Sequence, residues 1–404
     1  MASSAIIIKT EFISSKSTEK FVKKFVKIGV NPDLTDNMEL NYEIDKTIGR
    51  LNCYLTLAKP DDAVDITEIY KDCYKGTYPF KEMEDPVEVR KMIIDKNYHW
   101  VLFKSPEGKT VGCFTYVLDM KQKKGYMRGL MVKRKYQSIT NFKKLAIGSA
   151  IGMWGTFKNR IYLWYCENRT AHAKTQYISA ICGCLPVAFF PNKDIFMNKV
   201  ESDVFHIIYS EKALYDIRKK PPILISEIND IYKYVQKRYN LDKAKYLKPG
   251  YKFNYDLKES YQTIVNENKD KFGYHNVLIK IHGTDSYIKF LYTPMVQNIE
   301  KIEYHVNHDV ELYVLLKKLK KYASIKNVRY IECFVSAYKP NHQKVFSDLG
   351  FKVRGYLPSW KLVKTDYGEI FEDIIVFNLE KGKISPDIQL ISEAQEIVNL
   401  VYNK

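Results

Sequence analysis

A short segment in the first half of the chain brings together side chains that can exchange protons. Glu167 and Asn168 follow the apolar stretch Ile161–Cys166, and His172 and Tyr177 come next. A carboxylate, an imidazole and a phenol can act as general base or acid when their pKa values suit the reaction. The alternatives are structural: Tyr177 as a packed core residue, and Glu167 as a solvated loop carboxylate or a helix-cap charge.

A second group of residues suits the binding of phosphate. Lys143 and Lys144 lie at the start of a long apolar segment, and Lys133-Arg134-Lys135 precedes it. A helix N-terminus offers unpaired amides and the positive end of the helix dipole to an anion. Lysine and arginine neutralise phosphate charge. Ser138 and Thr140 lie between the two basic groups, where each could cap the helix or donate a hydroxyl.

Apolar periodicity and turn residues predict the elements that position these groups. Strands are predicted over Leu51–Ala58, His99–Lys104, Thr110–Asp119, Lys123–Lys133, Ile161–Cys166 and Val204–Tyr209. Helices are predicted over Ala63–Tyr74, Glu88–Lys96, Asn141–Phe157 and Thr170–Cys182. Further along, strands are predicted over Asn276–His282, Ser286–Tyr292, Arg329–Val335 and Ile374–Leu379, and helices over Glu227–Tyr239, Val310–Ala323 and Lys339–Leu349.

An internal repeat is indicated by matched spacings in the two parts of the chain. In each part a Gln precedes a Gly by seven residues, and that Gly precedes a Pro by eight. The residues are Gln176, Gly183 and Pro191 in the first part, and Gln343, Gly350 and Pro358 in the second. A strand and a helix lead to each Gly, which favours a duplicated fold. The alternative is that the matched spacings do not reflect duplication, because glycine often ends helices and the order helix, Gly, strand is common.

Several of these features together resemble the GNAT superfamily of N-acetyltransferases, over the range Leu51–Leu214. Leu51–Ala63 looks like the family's first strand and the start of its first helix. The two predicted strands that follow form a hairpin, and Met127–Val132 looks like the third apolar strand that comes after it in the family. Glu167-Asn168 stands at the end of the next strand, where the family often has an Asn. The resemblance implies an α/β fold with a mixed α+β sheet. With the repeat, the fold class we expect is tandem GNAT-like acyl-CoA acyltransferase folds, the second degenerate.

The resemblance implies an enzyme that moves an acyl group from acetyl-CoA to a primary amine by direct attack, without a metal. The acceptor would be a small-molecule amine or a lysine or N-terminal amine. The residues placed at the co-substrate are Leu130, Met131, Val132, Gln137, Ser138, Ile139, Thr140, Asn141, Phe142, Lys143 and Asn168. The family's phosphate loop has the pattern [QR]xxGx[GA]. Gln137 matches it, but Thr140 and Phe142 replace the two small residues, which removes close backbone approach to the phosphates.

The family also suggests catalytic roles. A tyrosine on the helix after Asn168 commonly acts as the acid, which implies Tyr177, at a longer spacing than is usual. Glu167 at the strand end is the candidate base, and His172 is the alternative base near neutral pH. Pro191–Asp194 and Glu201–Asp203 carry carboxylates that could hold a cationic amine. A solvated hairpin loop is the alternative for those two stretches.

These inferences divide the chain into four regions. Residues 1–50 form an N-terminal extension, residues 51–218 the GNAT-like acyltransferase domain, residues 219–275 a linker with a helix, and residues 276–404 the degenerate second domain. In the second domain Asn307-His308-Asp309 precedes the helix that should bind phosphate. An acidic residue there disfavours anion binding, so we expect no second co-substrate site.

Composition limits the remaining choices. The 404 residues are 46% hydrophobic with Gly 18 and Pro 14, which excludes disordered and collagen-like chains. No stretch reaches the roughly 18 uncharged apolar residues of a membrane helix, and no secretory signal is recognised. The seven cysteines are expected to be reduced thiols in a cytoplasmic protein.

The net charge of +17 leaves a second function class open. Lysines alternate with aromatic residues in Lys245–Tyr255, a composition that could stack nucleic-acid bases. The alternative function is therefore a catalytically inactive GNAT-like binding or scaffold protein that uses its basic, tyrosine-rich surface for RNA or a protein partner. No nucleic-acid motif supports this alternative, and the sequence leaves the oligomeric state open.

Overall fold

The computed structural model describes residues 51–402 apart from residues 52, 141 and 250–260. These residues form an α/β protein with one large mixed sheet, as the sequence predicts. The predicted N-terminal extension, Asn141 and most of the aromatic part of Lys245–Tyr255 lie outside the described residues. None of the helices in the described part is long and apolar enough to span a bilayer.

In the first half, two helices follow the first strand, three antiparallel strands come next, and two further helices lie before and after the fifth strand. Its elements are β1 (Tyr54–Leu57), α1 (Ala63–Tyr74), α2 (Pro86–Ile94), β2 (Tyr98–Lys104), β3 (Thr110–Asp119), β4 (Lys124–Val132), α3 (Phe142–Phe157), β5 (Leu163–Arg169), α4 (Lys174–Ile181), β6 (Leu185–Phe196) and β7 (Lys199–Tyr209).

The remaining elements begin with a connecting segment and then repeat this pattern. They are β8 (Ile223–Leu224), α5 (Asn229–Tyr239), β9 (Lys245–Tyr246), β10 (Thr263–Lys269), β11 (His275–Ile281), β12 (Tyr287–Thr293), β13 (Asn298–His305), α6 (Asp309–Ile325), β14 (Tyr330–Ser336), α7 (Pro340–Asp348), β15 (Lys352–Thr365), β16 (Gly368–Glu380) and α8 (Ser392–Val401).

The 14-stranded sheet has the order β1-β2-β3-β4-β5-β7-β6-β15-β16-β14-β13-β12-β11-β10. Read inward from each end, the two halves have the same strand order. The pairs β4–β5 and β13–β14 are parallel, and the other neighbours are antiparallel. The halves meet where Ala188 of β6 pairs with Gly355 of β15. A Cβ on Gly355 would lie 2.1 Å from the Ala188 Cβ, so glycine permits this close approach.

Helices cover both faces of the first half of the sheet. Along β2, Trp100 and Leu102 pack against α1 and α2, whereas Val101 and Phe103 pack in the layer of α3 and α4. This alternation is the two-residue period of a strand buried on both faces. α3 is buried along nearly its whole length because β1, β3 and α4 all contact it, which accounts for its almost uninterrupted apolar sequence.

Helix boundaries follow from local chemistry where the sequence supplies it. Asp85 caps α2, since its carboxylate accepts the amide hydrogens of Val87 at 2.9 Å and Glu88 at 3.4 Å, with Pro86 at the first helical position. The predicted range Glu88–Lys96 is therefore shifted by about one half turn. α1 spans the predicted residues.

The sequence-based prediction of strands is wrong at β6. The sequence offers two interpretations of Pro191–Asp194, a holder of a cationic amine and a solvated hairpin loop, but the stretch lies inside β6 and its polar side chains are buried. The strand is interrupted by register shifts against β7, which accommodate its prolines. The sequence does not predict β10 either, because β10 is an edge strand in which nearly all residues are exposed and apolar residues do not alternate with polar ones.

Candidate functional site

The parallel strands β4 and β5 separate after a short pairing. They are in register only from Lys124↔Leu163 to Tyr126↔Tyr165. Beyond Tyr126 the β5 side of β4 has no strand partner among the described residues, although β4 continues to Val132. Apart from the Val132 carbonyl, which accepts a hydrogen bond from Gln137, backbone groups on that edge have no strand partner in the described part of the chain and can bond to a ligand.

A β-bulge lies on β4 beside this opening. Between the pairs Cys113↔Met131 and Thr115↔Arg128, one residue of β3 faces both Gly129 and Leu130. Gly129 has φ +62, and a Cβ there would lie 2.5 Å from the Tyr70 hydroxyl oxygen. The bulge thus requires glycine, both for its left-handed backbone and for space.

A cavity of about 140 Å³ occupies the opening between β4 and β5. Its wall includes residues from α3 and α4 on one face of the sheet and from α1 on the other, so the cavity crosses the sheet. The lining residues are Tyr74, Phe114, Met127, Arg128, Gly129, Leu130, Ala146, Ala150, Trp154, Cys166, Glu167, Asn168, Arg169, His172, Thr175, Ile178, Ser179, Cys182 and Cys184. The end near α3 is apolar, and the charged side chains come from β4 and β5.

Two sequence-predicted candidates, Glu167 and His172, line this cavity. Partial burial and the nearby charge of Arg169 lower the pKa of His172 below its ordinary value of 6.5. The imidazole is therefore neutral at pH 7 and able to accept a proton. His172 lies at the exposed rim of the cavity.

Glu167 belongs to a buried charge cluster that joins the two halves. The Lys193 ammonium lies 2.8 Å from Glu167, 3.1 Å from Glu300 and 3.2 Å from Glu332. Lys193 is only 3% exposed, so the three carboxylates supply the pairing that a buried ammonium requires. Glu167, Glu300 and Glu332 thus bind a lysine of the chain itself, and Glu201 pairs with Arg169.

Asn168 also lines the cavity, but its amide is engaged by the protein. Its Nδ2 donates to Ser179 Oγ at 3.0 Å and lies 3.0 Å from His206 Nδ1. Burial lowers the pKa of His206 to about 4, so this ring is neutral. Asn168 therefore links β5 to α4 and β7.

Tyr177 does not line the cavity. Its ring is 52% exposed on the outer side of α4, with the Lys143 ammonium 5.1 Å from its centroid. The geometry therefore gives no support to Tyr177 as the acid. Tyr74 of α1 lines the cavity instead, and burial raises its pKa, so its hydroxyl keeps its proton at neutral pH. No local sequence signal marks Tyr74, since the tertiary fold alone brings α1 to the opening.

The predicted phosphate loop uses its own amides internally. The amides of Ile139 and Thr140 donate to the carbonyl of Tyr136, and that of Gln137 donates to Arg134. The Gln137 side chain donates to the carbonyl of Val132 at 3.0 Å, so it closes the loop onto β4. These three amides and the Gln137 side chain therefore have partners within the protein, and a role for Gln137, Ile139 and Thr140 at a phosphate stays a prediction.

The other residues assigned to the co-substrate have varied surroundings. Leu130 lines the cavity, whereas Met131 and Val132 are buried in the layers on either side of β4. Phe142 is half-buried beside the α3 layer and does not line the cavity. Ser138 and Lys143 are exposed next to the loop, and Asn141 lies outside the described residues. The structure thus brings Leu130, Glu167, Asn168 and His172 together.

The equivalent loop of the second half already binds an anion of its own chain. Glu311 Oε2 accepts the amide hydrogens of Asn307 and His308, each at 2.9 Å, and the Ser286 hydroxyl at 2.8 Å. Although burial opposes it, these bonds hold the pKa of Glu311 below its ordinary value. The carboxylate occupies the amides to which a phosphate would bind, a stronger obstacle than the Asp309 noted in the sequence.

Comparisons with known proteins give partial matches in structure only. No family model matches this sequence, and no curated protein matches it. A solved spermidine N-acetyltransferase from Vibrio cholerae, in complex with CoA and spermine, is 13% identical with a TM-score of 0.33 and covers 39% of this chain and 96% of that chain. A putative acetyltransferase from Acinetobacter baylyi is 10% identical with a TM-score of 0.34, covering 39% of this chain and 92% of that chain. Values this low do not establish an activity for this chain.

Proposed function

We propose that the first half transfers an acyl group from acyl-CoA to a primary amine at the opening between β4 and β5. The observation that supports this most is the cavity that crosses the sheet beside the Gly129–Leu130 bulge, with a neutral His172 at its rim. The strand order, with one parallel pair inside an otherwise antiparallel half, is what the GNAT resemblance implies. The domain limits predicted from the sequence remain part of this proposal.

The residues present fit the thioester end of the co-substrate better than its phosphates. The unpaired edge of β4 offers backbone hydrogen bonds to an extended arm, and the apolar walls from α3 and α4 exclude water from it. The loop amides beyond β4 are already bonded, so phosphate binding would depend on the exposed Lys135 and Lys143 and on the N-terminus of α3. Acyl-CoA supplies the acyl group in activated thioester form.

The chain's own groups have distinct tasks in the transfer. The backbone beside Leu130 polarises the carbonyl, which the amine nitrogen attacks. His172 accepts the proton that the amine loses as the C–N bond forms, with Glu167 as the alternative base. As the C–S bond breaks, the sulfur receives a proton, for which the Tyr74 hydroxyl is the candidate donor.

One observation favours the second candidate, a non-catalytic scaffold. The amides of Gln137, Ile139 and Thr140 are all satisfied within the loop, as expected if no phosphate binds there. Such a protein would retain the fold and its basic surface while lacking acyl-CoA affinity.

Calorimetry with acetyl-CoA at moderate salt separates the two candidates. Binding, followed by release of free CoA thiol when primary amines are added, is expected for the enzyme. An absence of binding up to millimolar acetyl-CoA would rule out the transferase and support the scaffold. A Tyr74→Phe variant tests the acid separately, because it should slow thiol release without weakening acetyl-CoA binding.

A further inference from the structure

Arg128 is a guanidinium on the cavity wall without an anionic partner. It lies on β4 immediately before the Gly129–Leu130 bulge and lines the opening. Its Nη2 approaches the Tyr78 hydroxyl at 3.4 Å, and its Nε is buried without a hydrogen-bond partner within the described chain. No carboxylate of the described residues forms an ion pair with it.

Aromatic rings hold this side chain in place. The guanidinium lies 4.8 Å from the centroid of Phe80 and 5.9 Å from that of Tyr126. Stacking on rings fixes the plane of the guanidinium and leaves its in-plane donors for a planar acceptor. Arg128 is half-buried with its Nε fully buried, and a cation with buried, unpaired donors is costly unless a ligand pairs with it.

The other cations near the cavity are already neutralised. Arg169 makes two hydrogen bonds to Glu201, at 2.7 and 2.6 Å, and Lys193 is held by its three glutamates. Glu201 and the three glutamates around Lys193 are therefore already paired with cations of the chain itself. Arg128 alone among the charged residues of β4 and β5 on the cavity wall presents uncompensated charge to its interior.

Resting on the proposed function, we propose that Arg128 binds a carboxylate of the reacting substrate, next to the atoms that react. A carboxylate matches the fork of an arginine in two parallel hydrogen bonds. It can belong to the acceptor, as in an amino acid, or to the acyl chain, as in the half-thioester of a dicarboxylic acid. Both place an anion beside the bulge, and a polyamine acceptor offers none.

The test compares matched substrates in the wild type, Arg128→Met and Arg128→Lys. With acetyl-CoA, the acceptors are alanine and alaninamide. With an amine that lacks a carboxylate, the donors are succinyl-CoA and butyryl-CoA. In one of these two pairs, we expect the wild type to favour the substrate that carries the carboxylate by about 10- to 100-fold in kcat/KM, as for a hydrogen-bonded charge pair. Arg128→Met should bring that ratio close to one, and Arg128→Lys should give an intermediate ratio.

Arg160→Met is the control, since Arg160 is an exposed guanidinium also stacked on a ring, 4.6 Å from the Phe157 centroid. Its ratios should equal those of the wild type. Equal ratios in the wild type and Arg128→Met, or an equal loss with every substrate, would overturn the proposal. Thermal melting checks that the variants are folded.

A binding measurement keeps this proposal separate from the transferase proposal. Saturation-transfer NMR with N-acetylalanine and N-acetylalaninamide needs no turnover. Selective binding of the acid by the wild type but not by Arg128→Met supports the carboxylate site even if no acyl-CoA is consumed. Turnover of acetyl-CoA without any carboxylate selectivity in either assay would overturn the site and leave the transferase intact.

Discussion

Gln176 and Gln343 stand at the same position of the two halves and make the same set of hydrogen bonds. Gln176 Nε2 donates to the carbonyls of Arg169 at 3.2 Å and Gln389 at 2.9 Å, and its Oε1 accepts the amide hydrogen of Ile391 at 3.3 Å. One glutamine thus bridges the end of β5 and an extended segment that follows β16.

Gln343 repeats this geometry in the second half. Its Nε2 donates to the carbonyls of Ser336 at 3.1 Å and Ile223 at 2.9 Å, and its Oε1 accepts the amide hydrogen of Ile225 at 3.0 Å. Each glutamine therefore binds a segment from outside its own half, Gln343 the linker and Gln176 the end of the second half. The helices that follow these segments dock accordingly, α5 against β15 and α8 against β6.

Gln343→Ala should destabilise the protein more than Gln176→Ala. It leaves the buried amide of Ile225 without its acceptor, and a buried unsatisfied group costs about 1–3 kcal/mol. The bonds of Gln176 are partly accessible to water, which can replace them. Chemical denaturation measures both free energies, with Gln395→Ala on exposed α8 surface as the control. Equal, negligible effects of both variants would contradict this role.

Gly355→Ala should destabilise the junction of the two halves by about 1–3 kcal/mol, the usual cost of overpacking. The new Cβ would meet the Ala188 Cβ at 2.1 Å and the Val187 carbonyl oxygen at 2.8 Å. Adding Ala188→Gly removes the first contact only, so the double variant should recover part of the loss. Thermal melting of the three variants checks this, and a Gly355→Ala protein as stable as the wild type would refute it.

Ala150→Met should weaken acyl-CoA binding at least about tenfold. Ala150 lines the cavity from α3, and the longer side chain would enter the space between the layers. Ala171→Met makes the same change at an exposed position near the opening and should leave affinity unchanged. Calorimetry gives both dissociation constants. If the two variants bind equally, acyl-CoA does not use this cavity.

The pH profile of kcat/KM should have an acidic limb with a midpoint below 6.5. Burial and Arg169 lower the pKa of His172, so the imidazole stays neutral to lower pH than usual and loses activity only when it is protonated. His172→Gln should remove this limb and lower the rate by about 10²- to 10⁴-fold. An unchanged limb in that variant would transfer the role of base to Glu167, for which Glu167→Gln is the matching variant.

Asp203→Asn should stabilise the protein at pH 8 and have little effect at pH 4. Burial, and then the charge of Glu167, raise the pKa of Asp203 to about 7, against roughly 3.9 in the unfolded chain. The unfolded state therefore releases the proton first, and the folded state loses stability as pH rises from about 4 to 7. Asp387→Asn, at an exposed position, should show no such trend in melting temperature. A constant difference between wild type and Asp203→Asn across this range would contradict it.

Local patterns in the sequence predict most of the helices and the strands with clear apolar alternation. α1, β3 and α6 appear close to the expected ranges. β6 could not be predicted, because two of the three carboxylates that pair with the buried Lys193, Glu300 and Glu332, come from the other half. A charged residue in a sequence is predicted to be exposed to solvent unless the distant residues that pair with it are known.

The residues of the candidate site likewise divide into those that a local sequence pattern predicts and those that only tertiary contacts bring there. Glu167, Asn168 and His172 were found because they are adjacent to a strand end, and the cavity includes all three. Arg128 and Tyr74 were missed, since a strand residue and a helix residue meet there only after the sheet opens beyond Tyr126. The loop pattern predicts that Gln137 contacts the ligand, but in the structure its side chain donates a hydrogen bond to the Val132 carbonyl.

The carboxylate of Glu311 has a consequence for counting ligands. It occupies the amides of Asn307 and His308, whereas the loop of the first half holds no carboxylate and is flanked by the exposed Lys135 and Lys143, so we expect acyl-CoA to bind in the first half alone. Titration with acyl-CoA is expected to give a stoichiometry of one per chain and a Hill coefficient of one, whatever the symmetry of the backbone. The molecule would then have the architecture of a dimer and the binding isotherm of a monomer.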